Sequence, residues 1–418
     1  MAEILSLKIN PIRLRLSAWN IVLALAACMA LQMTSFVLIM PLFARRFNDF
    51  GAGVEALGIS SLAYALTSML AAPYMGALAD RMGRRPLVLS SLVAYALAFS
   101  GYLLASSAQV FIVLRALTGL FTAGLIPAVM GIIADISPQD RRARFIGIVN
   151  GGASIGWIAG PLIGGMLYDR LGYVAPFGLA IVVAIITLLA AVLIVPETRP
   201  AIVIPEVKMD PVRERRIRTS LLVRMRSYLN NPPYPSPTLA ILLAISLVVM
   251  FAWAFIEPRM MFYVYDELGW TSAQLGLAMS AYGVAMMFGE VTLGQLSDRL
   301  GRKPVLILGL ILFSAQFVGL VSFKAFYPIT ACFILAGLGN ALFDPALGAF
   351  TLDIAPTNQK GKFAGLKSTA GSLGNVLGPA LVVMISPILP ATGIFLMAVL
   401  MIAVITGLAF LLLRSPQE

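Results

Sequence analysis

Histidine is absent from this chain of 418 residues, and cysteine occurs only as Cys28 and Cys332. The absence of histidine removes the commonest metal ligand and the usual proton carrier near neutral pH. Both cysteines lie in apolar runs, so the sequence predicts neither a disulfide framework nor a thiolate metal site. We therefore expect no metal ion and no cofactor, and any proton chemistry has to use carboxylates.

Charged residues are scarce as well. Asp, Glu, Lys and Arg make up 12% of the chain, and hydrophobic residues make up 60%. Soluble domains average about 25% charged and about 45–50% apolar residues, so a water-exposed globule could not bury this excess of apolar side chains. The composition indicates an integral membrane protein that is surrounded by a lipid bilayer.

Long apolar runs predict twelve membrane-spanning helices, because about 20 apolar residues cross the hydrocarbon core of a bilayer. A polar linker at 196–237 separates a first bundle of six spans, within 1–195, from a second bundle of six, within 238–418. The predicted spans are 18–43, 56–79, 87–107, 110–134, 145–167, 174–195, 238–264, 272–297, 305–323, 328–351, 364–386 and 392–413.

Basic residues concentrate in alternate connections between these spans. If both termini are placed on the same side of the membrane, most of the 30 Lys and Arg residues also fall on that side. The positive-inside rule assigns that side to the cytoplasm. We expect a multi-pass protein of the cell (plasma or inner) membrane with both termini cytoplasmic. The net charge of +11 then reflects topology, and no nucleic-acid partner is expected.

One phrase occurs twice in the chain. The segment 76–86 reads GALADRMGRRP and returns at 294–304 as GQLSDRLGRKP. The same offset continues without a gap to residue 161, and it pairs Asp135 with Asp353 and Pro161 with Pro379. A register kept over this length indicates that a six-span unit is duplicated, and repeats of this size are typical of secondary transporters.

Three motifs carry a resemblance to a known family. The repeated phrase resembles the loop motif G-x-L-a-D-r-x-G-r/k-r/k of the major facilitator superfamily. The segment 114–119, LRALTG, is similar to a motif of that superfamily with a membrane-embedded arginine, here Arg115. Span 5 is similar to the signature of its twelve-span drug:proton antiporters (multidrug efflux type); the residues are Gly147, Gly152, Gly156, Gly160, Pro161, Gly164 and Gly165.

This resemblance implies an all-α integral membrane fold, with twelve transmembrane helices in two pseudo-symmetric six-helix bundles around a central cavity. It also implies a monomeric secondary active transporter that exports hydrophobic or amphipathic small molecules (drugs) by proton antiport through alternating access. The energy source would be the proton gradient. The sequence contains no G-x4-G-K-[ST] loop for ATP, and no nucleophile, base and orienting group can be assembled, so neither an ATP-driven pump nor an enzyme is expected.

The repeated phrase predicts a conformational latch at the inner face. Gly83 and Gly301 permit tight turns, and Asp80 and Asp298 end spans beside basic groups, so ion pairs could hold neighbouring helices in one state. A simple topogenic charge cluster is the alternative. The predicted latch residues are Gly76, Asp80, Arg81, Gly83, Arg84, Gly294, Asp298, Arg299, Gly301, Arg302 and Glu290.

Span 5 carries glycine at every fourth position from Gly152 to Gly164. Such a stripe allows another helix to approach closely, and Pro161 removes a backbone donor and can bend the helix. A tight and bendable contact suits a helix that rocks between two states. Static packing is the alternative.

Ionisable side chains inside spans cost at least about 2.5 kcal/mol each, so each of them calls for a reason. We predict that Asp344, Glu257 and Arg115 couple transport to protons, with Asp344 ranked first; for Arg115 this role is implied by the family resemblance. The alternatives are a structural hydrogen-bond hub at Asp344, an ion pair between Glu257 and Arg259, and hydrogen bonds from Arg115 to carbonyl groups of span 1.

In the superfamily fold, spans 1, 4, 7 and 10 line the central cavity. The predicted substrate-cavity residues on these spans are Gln32, Thr34, Phe121, Phe251, Trp253, Phe255 and Phe343. Together with 20 methionines, which provide adaptable apolar surface, they favour a lipophilic substrate, including cations. The alternatives are a same-fold exporter of a sugar, siderophore, amino acid or lipid, sodium in place of protons, and a non-transporting receptor or scaffold.

Overall fold

The computed structural model describes residues 17–138, 141–198, 237–293, 296–357 and 359–413, apart from the side chains of residues 143 and 298. Most of the predicted linker at 196–237 lies outside these residues, as do Gly294 and the side chain of Asp298. The elements in the described part of the chain are helices joined by short turns, with no strand.

Twelve of the described helices are long and apolar enough to cross a membrane, which confirms the predicted fold class. They are α1 (Ala18–Asp49), α2 (Val54–Met82), α3 (Arg84–Leu104), α4 (Ala108–Ile136), α5 (Arg144–Leu171), α6 (Val174–Ile194), α7 (Pro237–Glu267), α8 (Ser272–Leu293), α9 (Arg302–Ser322), α10 (Phe326–Asp353), α11 (Lys360–Ile385) and α12 (Ala391–Leu412).

The two halves pack by the same plan. In the first half, α1 lies against α5 and α6, α4 against α2 and α3, and α3 against α6. The equivalent contacts of α7 with α11 and α12, of α10 with α8 and α9, and of α9 with α12 form the second half. Two equivalent seams then join the halves, one between α5 and α8 and the other between α2 and α11. The sequence duplication is therefore a structural duplication.

The two phrases of the repeat form equivalent turns. Gly83 separates α2 from α3 with φ 107°, and Gly301 precedes α9 with φ 91°. Backbone with positive φ costs other residues energy because of their Cβ atom, so glycine is required at both positions. We refer to the end of the molecule that holds these two turns as the basic end, and to the other as the opposite end.

Hydrogen bonds between the halves close the opposite end. The carboxylate of Asp169 at the end of α5 accepts bonds from the backbone N–H groups of Ser272 (3.0 Å) and Ala273 (2.8 Å) at the start of α8. Two further bonds join the halves nearby. Arg45 donates to the carbonyl oxygen of Trp270 (3.0 Å), and Tyr265 donates to that of Pro41 (3.0 Å).

Across the second seam, Ser386 donates a hydrogen bond to Glu55 (3.0 Å). Toward the basic end, the same pairs of facing helices have exposed side chains, including Tyr74 of α2 (77% exposed) and Val291 of α8 (81% exposed). The halves are thus joined firmly at one end of the molecule.

Candidate functional site

A cavity of about 530 Å³ lies between the two halves. Its wall is made mainly of aromatic rings, methionines and small residues from both halves. Arg115 of α4 and Glu257 of α7 are the charged side chains that line it among the described residues. The cavity is therefore a largely apolar chamber that contains one basic and one acidic side chain together with several hydroxyl and amide groups.

The lining follows the sequence repeat. Six positions of the first half line the cavity together with the residues 218 positions further on. The pairs are Ser61 and Met279, Tyr64 and Tyr282, Ala65 and Gly283, Ser68 and Met286, Arg115 and Phe333, and Trp157 and Asn375. In α1 and α7 the equivalent contacts with the glycines of α5 and α11 lie 217 positions apart, and this offset pairs Phe36 with Trp253 and Met40 with Glu257 in the lining. The two halves thus present equivalent faces to the cavity, and they differ in charge at Arg115 and at Glu257, whose counterparts are uncharged.

Arg115 is buried at the cavity wall, with 6% of its surface exposed. Its Nε and Nη1 atoms have no hydrogen-bond partner in the part of the chain that the structure describes. The rings of Phe36 and Phe43 in α1 and of Tyr64 in α2 lie next to the guanidinium instead. These two atoms therefore do not form the hydrogen bonds to carbonyl groups of α1 that were the alternative considered from the sequence.

Glu257 faces the same cavity from the other half. Its charge is close enough to that of Arg115 for the two to interact. Arg259, the alternative partner considered from the sequence, instead forms an ion pair with Glu267 (2.9 Å). The structure therefore brings Arg115 and Glu257 together across the cavity and leaves Arg259 at the opposite end.

Asp344, the acid ranked first from the sequence, lies outside the cavity lining. Its carboxylate binds Nζ of Lys367 in α11 at 2.8 Å, and 53% of its side-chain surface is exposed. It follows the cavity residue Asn340 by four positions on α10, so it lies on the same face one turn nearer the basic end. This ion pair could not be predicted from the sequence, because Asp344 and Lys367 lie on different helices.

Glu290, which is one of the predicted latch residues, also lies near Asp344. The charges of the two carboxylates interact, and Glu290 follows the cavity residue Met286 by one turn of α8. Together with Lys367, they form a charged group between the cavity and the basic end. We refer to Glu290, Asp344 and Lys367 as the vestibule triad.

Of the seven predicted cavity residues, Trp253 lines the cavity. Phe343 is buried against the ring of Phe313, with centroids 5.2 Å apart, and Phe255 is buried and stacked on Phe251 at 5.6 Å. These three rings pack between helices. The correction has a simple cause: successive residues of an α-helix point about 100° apart, so most residues of a lining helix face elsewhere.

The remaining predicted cavity residues lie on α1 and α4. Phe121 is 51% exposed. The hydroxyl of Thr34 donates to the carbonyl oxygen of Ala30 (2.7 Å). Gln32 is 1% exposed, and neither its amide nitrogen nor its amide oxygen has a described partner. None of the three contributes to the lining.

The latch residues form equivalent ion pairs in the two halves. Arg84 binds Asp80 and also Asp135 at the end of α4 (3.5 Å). Arg302 binds Asp353 at the end of α10 (3.0 Å), which is the same pair in the second repeat. Asp135 and Asp353 were not among the predicted latch residues, although their shared repeat register was the signal that could have found them.

Glu197 adds a contact that sequence reasoning also missed. Its carboxylate accepts hydrogen bonds from the backbone N–H groups of Arg84 (3.1 Å) and Arg85 (3.2 Å). These donors belong to the first turn of α3, where backbone N–H groups have no partner inside the helix. The start of the linker is thereby attached to the latch of the first half.

The glycine stripe of α5 packs on α1 within the first half. A Cβ atom at Gly156 would lie 2.6 Å from Cβ of Met33, and one at Gly160 would lie 3.0 Å from the backbone nitrogen of Leu38. Gly152 and Gly164 face the main chain of α1 in the same way, whereas Gly147 faces open space. The stripe therefore allows two backbones to approach closely.

The other face of α5 forms the seam to the second half. Gly165 packs against the main chain of Ser272, and Pro161 against Gly276 of α8. Contact with α1 and contact with α8 are thus made by different members of the same motif. The glycine period could be predicted from the sequence, but the partner of each face could not.

Comparisons with known proteins agree with this architecture. The family model of the Major Facilitator Superfamily matches residues 22–266 and 242–418. The multidrug resistance protein MdtG of Enterobacter lignolyticus (strain SCF1) is 28% identical over 90% of this chain and 88% of its own length. Multidrug resistance protein 2 of Bacillus subtilis (strain 168) is also 28% identical, over 82% of either chain.

Among solved structures, a bacterial homolog of the human lysosomal transporter Spinster, in an inward-facing and unoccupied conformation, superimposes with a TM-score of 0.74. Its sequence is 16% identical, and the match covers 94% of this chain and 96% of that chain. At this identity the likeness supports the fold alone.

Proposed function

Because the chain belongs to the major facilitator superfamily of transporters and is not an enzyme, we propose that it exports hydrophobic or amphipathic small molecules in exchange for protons. The observation that carries the proposal is the cavity between the halves, in which Arg115 and Glu257 face each other inside an apolar wall. The similarity to multidrug resistance proteins supports the same class of cargo.

The mechanism that we infer is alternating access through a monomer. Two equivalent six-helix bundles can rock about a central site, so that the cavity opens first to one side and then to the other. The basic end would lie in the cytoplasm of the cell, together with both termini and the linker, since Lys and Arg gather there. The closed opposite end would then be the outer side, and the cavity would load substrate from the inside.

Glu257 is the proton carrier that this geometry favours. A proton taken up from outside would neutralise its carboxylate and remove the attraction to Arg115, so the two halves would be less strongly held together. The vestibule triad continues the polar path toward the basic end, which makes Asp344 and Glu290 the groups that would release the proton inward. Carboxylates serve in both steps because the chain contains no histidine.

The cavity wall favours an apolar cargo. Trp157 and Trp253 present large rings to the chamber, and several methionines adapt their shape to different ligands. We therefore favour hydrophobic or amphipathic molecules over the polar cargoes.

Transport by the purified chain in proteoliposomes tests the proposal. A panel of hydrophobic fluorescent compounds is added to the proteoliposomes, and a pH gradient or a sodium gradient is imposed across the membrane in separate experiments. We expect the pH gradient to drive accumulation and the addition of substrate to move protons in the opposite direction. Accumulation driven by the sodium gradient alone would show that sodium, and not the proton, is the coupling ion. Substrate binding without any flux would favour a receptor.

A further inference from the structure

The guanidinium of Arg115 lies among three aromatic rings. Its Cζ atom is 4.3 Å from the centroid of the Tyr64 ring, 5.2 Å from that of Phe43 and 6.0 Å from that of Phe36. A guanidinium within about 6 Å of a ring centroid is attracted by the negative face of the ring, most strongly where water is excluded. Tyr64 is the nearest of the three and also lines the cavity.

The charged and titratable groups near Arg115 are few. Tyr64 faces it from α2 and Tyr102 from α3, and the charge of Glu257 reaches it from α7 across the cavity. From α1 the neighbouring side chains are phenyl rings. Tyr102 also accepts a hydrogen bond from the guanidinium. Because Nε and Nη1 have no hydrogen-bond partner among the described residues, the position of the guanidinium also depends on its contacts with rings.

We propose that Tyr64 is a positioning residue that holds Arg115 at the cavity wall as an unpaired cation opposite Glu257. A ring face attracts a cation without taking up or giving a proton, whereas a carboxylate in this place would neutralise it. The full charge of Arg115 is then directed at Glu257, and it influences whether that carboxyl group binds a proton. The consequence for transport rests on the proposed function, but the positioning itself does not.

The second half of the protein provides a matched comparison. Tyr282 is the repeat equivalent of Tyr64 and lines the same cavity, but the counterpart of Arg115 there is Phe333. Its hydroxyl accepts a hydrogen bond from the amide of Asn340 (2.5 Å), and its ring is stacked on Trp253 with centroids 6.5 Å apart. Two tyrosines in equivalent places therefore have different partners, and only Tyr64 lies on a cation.

Substitutions at the two tyrosines test the proposal in proteoliposomes. Tyr64→Leu removes the ring, and we expect it to lower proton-driven export about tenfold, which is the order of one desolvated cation–π contact, and to shift the pH dependence of export. Tyr64→Phe keeps the ring face and should retain the wild-type pH dependence. In an Arg115→Gln background, Tyr64→Leu should cause no further shift in the pH dependence of the remaining export, and Tyr282→Leu should not shift that dependence with or without Arg115.

A spectroscopic measurement separates the positioning from transport. In the full-length protein in lipid nanodiscs, the ¹⁵Nε–H signal of Arg115, assigned by its loss in Arg115→Lys, should carry a ring-current shift. We expect this shift to disappear in Tyr64→Leu and to remain in Tyr64→Phe and Tyr282→Leu. If the wild type moves no protons but the signal behaves as expected, the proposed function fails and the positioning stands. An Arg115 signal that is the same in Tyr64→Leu as in the wild type would overturn the positioning, whatever the transport result.

Discussion

Gly276 of α8 packs directly on the main chain of Pro161 in α5, at the seam between the two halves. A Cβ atom at Gly276 would lie 2.8 Å from the carbonyl carbon of Pro161. The same relationship recurs at the other seam, where Gly58 of α2 faces Pro379 of α11. A Cβ atom at Gly58 would lie 3.7 Å from the carbonyl oxygen of Pro379 and 2.7 Å from Cγ2 of Val383, so a side chain fills this second contact. The main chains of the two helices thus approach more closely at the seam through α5.

A side chain at Gly276 should prevent this seam from closing. We expect Gly276→Ala to destabilise the closed opposite end, since overpacking costs about 1–3 kcal/mol, and to reduce transport strongly. Cross-linking of cysteines placed on α5 and α8 would measure the closure. Gly178→Ala on α6 is the matched control, because nothing lies within 4 Å of a Cβ atom there. Equal transport by both variants would show that the close contact is not needed.

Neutralising Glu257 should separate binding from coupling. We expect Glu257→Gln to abolish export against a gradient, because an amide cannot carry the proton, while substrate still binds in the cavity. Binding can be followed by the fluorescence of Trp157 and Trp253, which line the chamber. Glu267→Gln, which removes the partner of Arg259 at the opposite end, is the control. Wild-type proton flux in Glu257→Gln would exclude Glu257 as the carrier.

Asp344 has two possible roles, which a double variant distinguishes. Asp344→Asn should abolish uphill export with binding largely intact if the carboxylate carries a proton. It also leaves Lys367 without its partner at 2.8 Å, and an unpaired charge in a span is itself costly. We expect export to remain absent in Asp344→Asn with Lys367→Met. Recovery of export in that double variant would show that Asp344 serves only as the counter-charge of Lys367.

The ion pairs of the latch should contribute little to stability in either half. We expect Asp135→Asn and Asp353→Asn each to lower stability by no more than about 1 kcal/mol, since the pairs are partly exposed. Thermal unfolding in detergent would measure this, and transport would report any effect on switching. Exchanging the charges, as Arg84→Asp with Asp135→Arg, should restore part of the loss. A lack of rescue would indicate that the pair is not the source of the effect.

Several features of this protein could be predicted from the sequence because they depend on composition and period alone. Twelve apolar runs specify twelve spans, since the bilayer requires about 20 apolar residues for each crossing. The 76–86 phrase and its copy revealed the duplication. The same register relates Tyr64 to Tyr282, and it relates the ion pair of Arg84 and Asp135 to that of Arg302 and Asp353. The glycines of α5 marked a close helix contact before its partners were known.

Only the tertiary structure decided which side of each helix faces the cavity. A helix surrounded by lipid and other helices is apolar on all sides, so the sequence has no amphipathic pattern from which to read its rotation. For that reason Phe343 and Phe255 were placed in the cavity although they pack between helices. The contacts of Arg115 with Tyr64, and of Asp344 with Lys367, likewise arise from helix packing, because residues far apart in sequence meet only when the rotation of each helix is fixed by its neighbours.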